Sequence, residues 1–443
     1  MQPPIWTALQ SDDTCVAVVG VGHVGLPLAC ALADASYRVV AYDTPQRVAT
    51  LRSGNPGVIT VSAEDLSRAM ARNRLRPTAD PGMLADCRAI TVCVPTPLLP
   101  SGEPDLGPLR SAAAVVAEHG RPGTLFILES TSYPGTTREV LLPALSSRLG
   151  EVGQDFFCAF APERIDPGNP RFGLRETTHL VGGITSACTD LACLYYRRGV
   201  SPCHPVDSPE VAEMAKLLEN AYRNVNIALV NELMQLCDRM RVDVDAVIAA
   251  AATKPFGFAA FHPGPGVGGE CIPVDPRYLT WAARRVRRPL RTLEQALDVN
   301  DGMPLYAVCR IVGELNSVGL PVRRSRILLL GVTYKPDVPD ARGSVAQTIA
   351  ANLMEQEADV LYHDHLVPEW RVGEHVIRSQ PLTDALLLQC DLTVVVTAHR
   401  RFGAQNLRAR ARRLLDLTHP SILATPPNTA ADSGKGVPSC VSS

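Results

Sequence analysis

The chain of 443 residues lacks any excess of charge: 43 Lys and Arg stand against 45 Asp and Glu, a net charge of −2. Bulk charge therefore offers no attraction to nucleic acid or to an anionic membrane surface. No uninterrupted apolar run approaches membrane-spanning length, and the N-terminus lacks a signal-peptide pattern. The expectation is a cytoplasmic protein with no nucleic-acid and no membrane partner. No CxxC pair exists among the 13 cysteines, whose count is odd. That pattern supports neither a zinc knuckle nor a disulfide framework, and no metal is expected. Most, such as Cys15, Cys93, Cys237 and Cys309, sit singly in apolar segments. They read as reduced core thiols.

What is present is a globular composition, 46% hydrophobic and 20% charged, long enough for two or three domains with sizeable cores. Residues 1–13 read as a loose tail. An apolar run from Thr14 to Val19 turns into Gly20-Val21-Gly22-His23-Val24-Gly25. A helical segment follows over Leu26–Ala35, then a second apolar run, Arg38–Tyr42, ending at Asp43. This is the strand, glycine turn, helix, strand and acid of a dinucleotide-binding βαβ unit. Gly20 allows the tight turn, Gly22 admits a pyrophosphate, and Gly25 permits close helix–strand packing. Asp43 would accept hydrogen bonds from a ribose 2′-hydroxyl and repel a 2′-phosphate, so NAD is favoured over NADP. Further apolar runs at Ala89–Val94, Thr124–Glu129 and Phe156–Phe160 each end in a polar loop containing proline. Thr96, Thr131 and Glu163 fall in these loops, where doubly wound sheets bind ligands.

No Gly or Pro interrupts the chain between Pro209 and Met240, and apolar residues recur at three- and four-residue steps. The spacing predicts one long helix, a spine between domains. Glu213, Lys216, Asn220 and Asn224 share one stripe of it. The stripe is either a solvated face or the wall of a cleft, where a lysine and two amides would donate to a developing oxyanion. A short helix over Asp243–Ala252 precedes a Pro/Gly-rich stretch, Lys254–Pro276. Within it lies Cys271, flanked by glycines rather than buried in an apolar run. A dehydrogenase that only interconverts alcohol and carbonyl has no need of a thiol. One that carries an aldehyde on to an acid does, because a thiolate traps the aldehyde as a thiohemiacetal and then a thioester. The basic run Arg284-Arg285-Val286-Arg287-Arg288 reads as a solvated helix end. A second α/β unit follows, with strands at Arg326–Leu330, Asp359–Tyr362, Leu392–Val396 and Arg413–Leu417, and a helix over Val345–Glu357.

Seven stretches resemble the UDP-glucose/GDP-mannose dehydrogenase family of nucleotide-sugar 6-dehydrogenases. They are GVGHVGLPLA, VCVPTPL, ESTSYPGTT, FAPERIDPG, EMAKLLENAYRNVNIALVNEL, the Cys271 loop and GVTYKPDVPDARGS, in that order over Thr14–Leu417. TKPFGF at Thr253–Phe258 and PGPGVGGECIPVDP are similar to the branch acting on UDP-N-acetylglucosamine or UDP-N-acetylmannosamine. Members acting on UDP-glucose usually carry lysine where this chain has Val274. The resemblance implies an α/β fold of two Rossmann-like doubly wound domains joined by a long central helix and a helical middle domain. Its expected parts are an NAD-binding domain (14–205), a central helical and dimerisation region with the Cys loop (206–320), a UDP-sugar-binding α/β domain (321–423) and a disordered tail (424–443). It implies a homodimer, a UDP-sugar substrate and polysaccharide biosynthesis.

The resemblance also implies roles. Cys271 matches the nucleophile, and Lys216 and Asn220 match the pair that stabilises oxyanions. Asp275 and Thr131 match residues that position water and protons, and Glu163 matches an acid/base in thioester hydrolysis. Gly20, Gly22, His23, Val24, Gly25, Asp43, Thr96 and Thr131 would hold NAD. Glu163, Arg164, Lys216, Asn220, Lys254, Phe256, Gly257, Gly268, Lys335 and Arg342 would hold the sugar nucleotide. Three residues depart from the pattern: Glu270 where histidine is common, Arg277 where an aromatic is usual, and Val345 where proline is usual. A carboxylate at Glu270 would disfavour the Cys271 thiolate unless it points away or pairs with Arg277 or another cation. The alternatives are a UDP-glucose 6-dehydrogenase, a two-electron hydroxyacid dehydrogenase of the 6-phosphogluconate-dehydrogenase-like type, and a non-catalytic sugar-nucleotide-binding protein.

Overall fold

The computed structural model describes residues 4–403, apart from 167 and 170, and residues 406–419. The expected disordered tail lies outside them. Two compact units divide the chain. One comprises residues up to Gln235 with Val267–Gly302 and Val338–Gly343; the other comprises Leu236–Gly266, Met303–Asp337 and residues from Ser344 onward.

The first unit is built on eight strands: β1 Cys15–Val19, β2 Arg38–Tyr42, β3 Leu75–Thr78, β4 Ala89–Val92, β5 Leu125–Leu128, β6 Phe157–Phe160, β7 His179–Gly183 and β8 Cys203–Val206. Their order is β3-β2-β1-β4-β5-β6-β7-β8. Pairing is parallel except between β6 and β7, which run antiparallel. The first six strands form the doubly wound order whose switch point lies between β1 and β4. β4, β5 and β6 are buried at every residue. That is why they read as continuous apolar runs: helices cover both faces of a parallel sheet.

The expected loose tail is instead a helix, Pro4–Gln10. Ile5 and Leu9 lie four residues apart and bury in the same core as Tyr37, whose hydroxyl donates to the Leu9 carbonyl at 2.9 Å. Two apolar side chains one turn apart are enough to dock a short helix, at about 1.5–3 kcal/mol each. The long helix spans Pro209–Met240 as expected. A second, Arg291–Ser317, continues through Pro304.

The second unit carries β9 Arg326–Leu330, β10 Asp359–His363, a hairpin of β11 Glu369–Val372 and β12 His375–Arg378, then β13 Leu392–Val395 and β14 Leu414–Asp416. Its four-stranded sheet is parallel in the order β10-β9-β13-β14. It repeats a device of the first unit. Gly331 after β9 has φ +78°, and a Cβ there would lie 2.4 Å from the Thr397 carbonyl oxygen. The Val332 amide donates to Asp364, just past β10, at 2.7 Å.

Candidate active site

The turn after β1 packs as its glycines require. Gly20 has φ +88°, and a Cβ there would sit 2.7 Å from the Cys93 carbonyl oxygen; one at Gly25 would fall 1.9 Å from the Gly20 oxygen. A Cβ at Gly22 would meet nothing within 4 Å. That open space lets a pyrophosphate lie against bare backbone. Asp43 accepts from the Val21 amide at 2.8 Å and the Thr44 amide at 2.7 Å. It latches the turn, and each of its oxygens keeps a lone pair for a ribose hydroxyl. These residues fit NAD. His23 is exposed at the rim beside half-buried Val24. Its Nε2 lies 2.9 Å from Arg342.

The stripe on the long helix is buried, not solvated. Lys216, Asn220 and Asn224 retain 9%, 6% and 1% exposure. Glu213 accepts from the Thr137 amide and hydroxyl at 2.9 and 2.6 Å and from the Gly135 amide at 2.5 Å, so it anchors the start of the earlier helical run at Thr137. Asn220 donates to Asp275 at 2.6 Å, and Asn224 donates to the Ile272 carbonyl at 3.2 Å. The stripe therefore faces the Cys271 loop.

Cys271 precedes a helix, Asp275–Arg285. Its carbonyl accepts from the Asp275 amide at 2.9 Å. The residue keeps a path to solvent, yet protein packed around the sulfur pushes the thiol up to about 11. Asp275 adds to the shift, Lys216 opposes it, and Glu163 and Glu270 contribute less. Glu270 is thus not the main negative charge on the sulfur. It pairs with Arg342 at 3.6 Å, while Arg277 bonds Asp301 at 2.5 Å and the Pro273 carbonyl at 3.1 Å. Burial lifts Asp275 to about 6 against the pull of Lys216 and Asn220. Burial also raises Glu163, opposed by Lys216 and by the Ile165 amide. One cation, two raised carboxylates and a thiol share one field.

Thr96 and Thr131 meet at the strand ends, where the Thr96 hydroxyl donates to the Thr131 carbonyl at 2.5 Å. Arg164 is spent on Glu219 at 2.5 Å and the Thr178 carbonyl at 2.7 Å, so it braces a loop. Gly268 is half-buried three residues before Cys271. Lys254, Phe256, Gly257 and Lys335 belong to the second unit. There the Lys254 ammonium sits 4.9 Å from the centre of the exposed Phe256 ring, and the Lys335 carbonyl accepts from the Thr333 hydroxyl. Arg342 is in the first unit, at the glycine turn.

Two residues escaped the sequence reading. Glu129, just past β5, is buried and accepts from the Tyr196 hydroxyl at 2.5 Å. Tyr278 is buried and donates to the Thr96 carbonyl. A polar residue ending an apolar run signalled the first; nothing signalled the second. Asp337, His365 and His399 come within metal-ligand reach of one another. However, His399 accepts from the Asp337 amide at 2.9 Å and meets Asp364 at 3.0 Å, which occupies both ring nitrogens.

Three family models cover this architecture in order: the UDP-glucose/GDP-mannose dehydrogenase NAD-binding domain over residues 14–199, the central domain over 210–302 and the UDP-binding domain over 328–424. The chain belongs to the UDP-glucose/GDP-mannose dehydrogenase family. It is an NAD-dependent nucleotide-sugar dehydrogenase, an oxidoreductase. A UDP-N-acetyl-D-glucosamine 6-dehydrogenase of Pseudomonas aeruginosa is 35% identical over 89% of this chain and 94% of its own. An NDP-N-acetyl-D-galactosaminuronic acid dehydrogenase of Ralstonia nicotianae is 33% identical over 92% and 96%. The solved structure of a UDP-D-ManNAc dehydrogenase from Pyrococcus horikoshii matches with a TM-score of 0.83 and 30% identity, over 94% of this chain and 97% of that one. Among the described residues no helix of this dehydrogenase is long and apolar enough to cross a membrane.

Asp275 gives the family site a measurable cost. Its folded-state value of about 6 lies above the ordinary 3.8, so the fold favours the protonated acid. The stability this confers is complete below the ordinary value and lost as pH rises through about 6. Asp275→Asn is therefore expected to stabilise the protein at pH 7.5, on the order of 2 kcal/mol, and, if Asp275 acts as a proton acceptor, to lower turnover by about 100-fold. Thermal melts and kcat on the same preparation check it. A variant less stable than the parent would contradict the assignment.

Proposed function

We propose that the enzyme oxidises the C6 hydroxyl of a UDP-N-acetylhexosamine to the carboxylate, a four-electron change, through a thiohemiacetal and a thioester on Cys271. The observation that carries this is the thiol in one field with Lys216, Asp275 and Glu163, in the same unit as the NAD turn. NAD, when bound, accepts the hydride of each oxidation. Lys216 and Asn220 hold the negative charge on the C6 oxygen as its proton passes to Asp275 and on to solvent. The resting sulfur is a thiol, so it needs a base as it adds to the aldehyde carbon. Asp275, titrating near neutrality, takes that proton. Asp275 passes the proton to the new C6 oxygen, giving the hydroxyl of the adduct, and takes it back in the second oxidation for release to solvent, which leaves the thioester. Glu163 orients and deprotonates the water that attacks it. The C–S bond then breaks, and the sulfur recovers a proton as the acid departs. Gly20, Gly22, His23, Val24, Gly25, Asp43, Thr96 and Thr131 serve the cofactor end, and Arg342 serves the nucleotide end of the substrate. Lys254, Phe256, Gly257, Gly268 and Lys335 serve the sugar nucleotide.

A homodimer belongs to this reading. The long helix exposes Leu218, Tyr222, Leu229, Leu236 and Met240, each more than half accessible, a stripe suited to pairing with its copy. The described cysteines are all free thiols, as the reducing cytoplasm keeps them. The test is NADH yield across UDP-N-acetylglucosamine, UDP-N-acetylmannosamine, UDP-N-acetylgalactosamine and UDP-glucose. Two NADH per N-acetylated sugar is expected. Turnover of UDP-glucose alone would overturn the substrate, and one NADH per sugar would overturn the thioester.

A further inference from the structure

The helix Asp275–Arg285 presents more than Asp275 to the cofactor side of the first unit. Asp275, Tyr278, Trp281 and Arg285 recur at steps of three and four, so they share one face. Each is engaged by a different segment. Asp275 is bound by Asn220. The Tyr278 hydroxyl donates to the Thr96 carbonyl. Trp281 packs on Tyr133 with ring centres 4.8 Å apart. Arg285 lies over both rings and pairs with Glu139 at 3.2 Å.

Two of these contacts reach the loops at the ends of β4 and β5. Thr96 follows β4, and its hydroxyl holds the Thr131 carbonyl after β5 at 2.5 Å. Tyr133 lies two residues beyond Thr131. Tyr278 is 2% exposed, and its hydroxyl also lies 3.4 Å from the Thr96 hydroxyl. The Tyr278 hydrogen bond, beside the packing of Trp281 on Tyr133, thus joins the helix that begins four residues after the nucleophile to the two loops that end at the cofactor cleft.

We propose that Tyr278 is a positioning residue: its hydroxyl, through Thr96 and Thr131, fixes the cofactor loops in register with the Cys271 loop. The proposal rests on the thioester reading of the site. The register matters unequally in the two oxidations. In the first, the sugar carbon is held only by noncovalent contacts and can adjust. In the second, that carbon is bonded to sulfur, so its distance to the cofactor is set by how the Cys271 loop sits against the Thr96 and Thr131 loops. Loss of register should therefore damage the second oxidation more than the first, and the aldehyde should escape before it is oxidised.

Tyr278→Phe keeps the ring and removes the hydroxyl. The assay is NADH formed per sugar consumed, with hydroxylamine present to capture free aldehyde as an oxime. The parent is expected to give two NADH and no oxime. Tyr278→Phe should fall toward one, with an equivalent amount of oxime, while the KM for NAD changes less than about 3-fold. A hydroxyl that only supports the fold would lower the active fraction and leave the yield at two; that result overturns the proposal. Thr96→Val keeps the carbonyl that Tyr278 binds but removes the onward bond from the Thr96 hydroxyl to the Thr131 carbonyl; it should give the same loss of yield, and a yield of two there would overturn the proposal even if Tyr278→Phe did not fold. A parent yield of one would instead remove the thioester reading, so the two failures are separable.

Discussion

Serine in place of Cys271 is expected to lower the formation of uronate by about 1,000-fold or more, the scale seen when a covalent nucleophile is removed. If the thiol enters only after the first oxidation, as proposed, a slow release of one NADH per sugar should survive. Serine is almost isosteric, and Cys271 is exposed at a loop, so the fold should be unaffected. The thiol already lies up at about 11, and a hydroxyl titrates still higher. Asp275, with its value of about 6, is too weak a base to make an alkoxide in useful amount. Rapid-mixing measurement of NADH, with product analysis, checks this. A serine variant that still produced two NADH per sugar at the parent rate would make Cys271 a structural thiol.

Lys216→Ala should cost about 100- to 1,000-fold in both oxidations, since each develops negative charge on the sugar oxygen. Lys216 is buried, and it is the cation that restrains the raised values of Cys271, Asp275 and Glu163. Its removal leaves two acids and a thiol without their counter-charge. All three should titrate higher, so the acid limb of the rate profile should move to higher pH. The limb lies near 6 in the parent if Asp275 must be ionised to act. A kcat profile against pH tests both parts. An unmoved limb with a reduced rate would place Lys216 outside the field of Asp275.

The sequence exposed the parts of this enzyme whose physics is local. β2, β9 and the long helix were legible to the residue, because a strand buried on both faces is a run of branched apolar residues and a long helix is a span without Gly or Pro. The tight turn at Gly20 and its acid at Asp43 were legible for the same reason. What was hidden depended on distant segments. The short N-terminal helix docks only because Tyr37 and its neighbours make a surface for it. β3 and β7 are brief strands of mixed character, recruited by the sheet. The stripe of Glu213, Lys216, Asn220 and Asn224 could be read either way until the Cys271 loop folded over it. Glu270 looked like a threat to the nucleophile. Its pairing with Arg342, 72 positions later, could not be read from spacing.

The repeated latch in the two sheets leaves its two acids with different access to solvent. Asp43 is half-buried and holds its turn with one bond to each oxygen. Asp364 is 2% exposed. It takes the Val332 and Leu366 amides and the His399 ring. Its carboxylate is closed over by protein on every side, and no sugar hydroxyl can reach it. The two halves share a fold device but differ in access: the first latch leaves its acid partly open at the turn, and the second encloses its acid in protein and serves only to hold its loop.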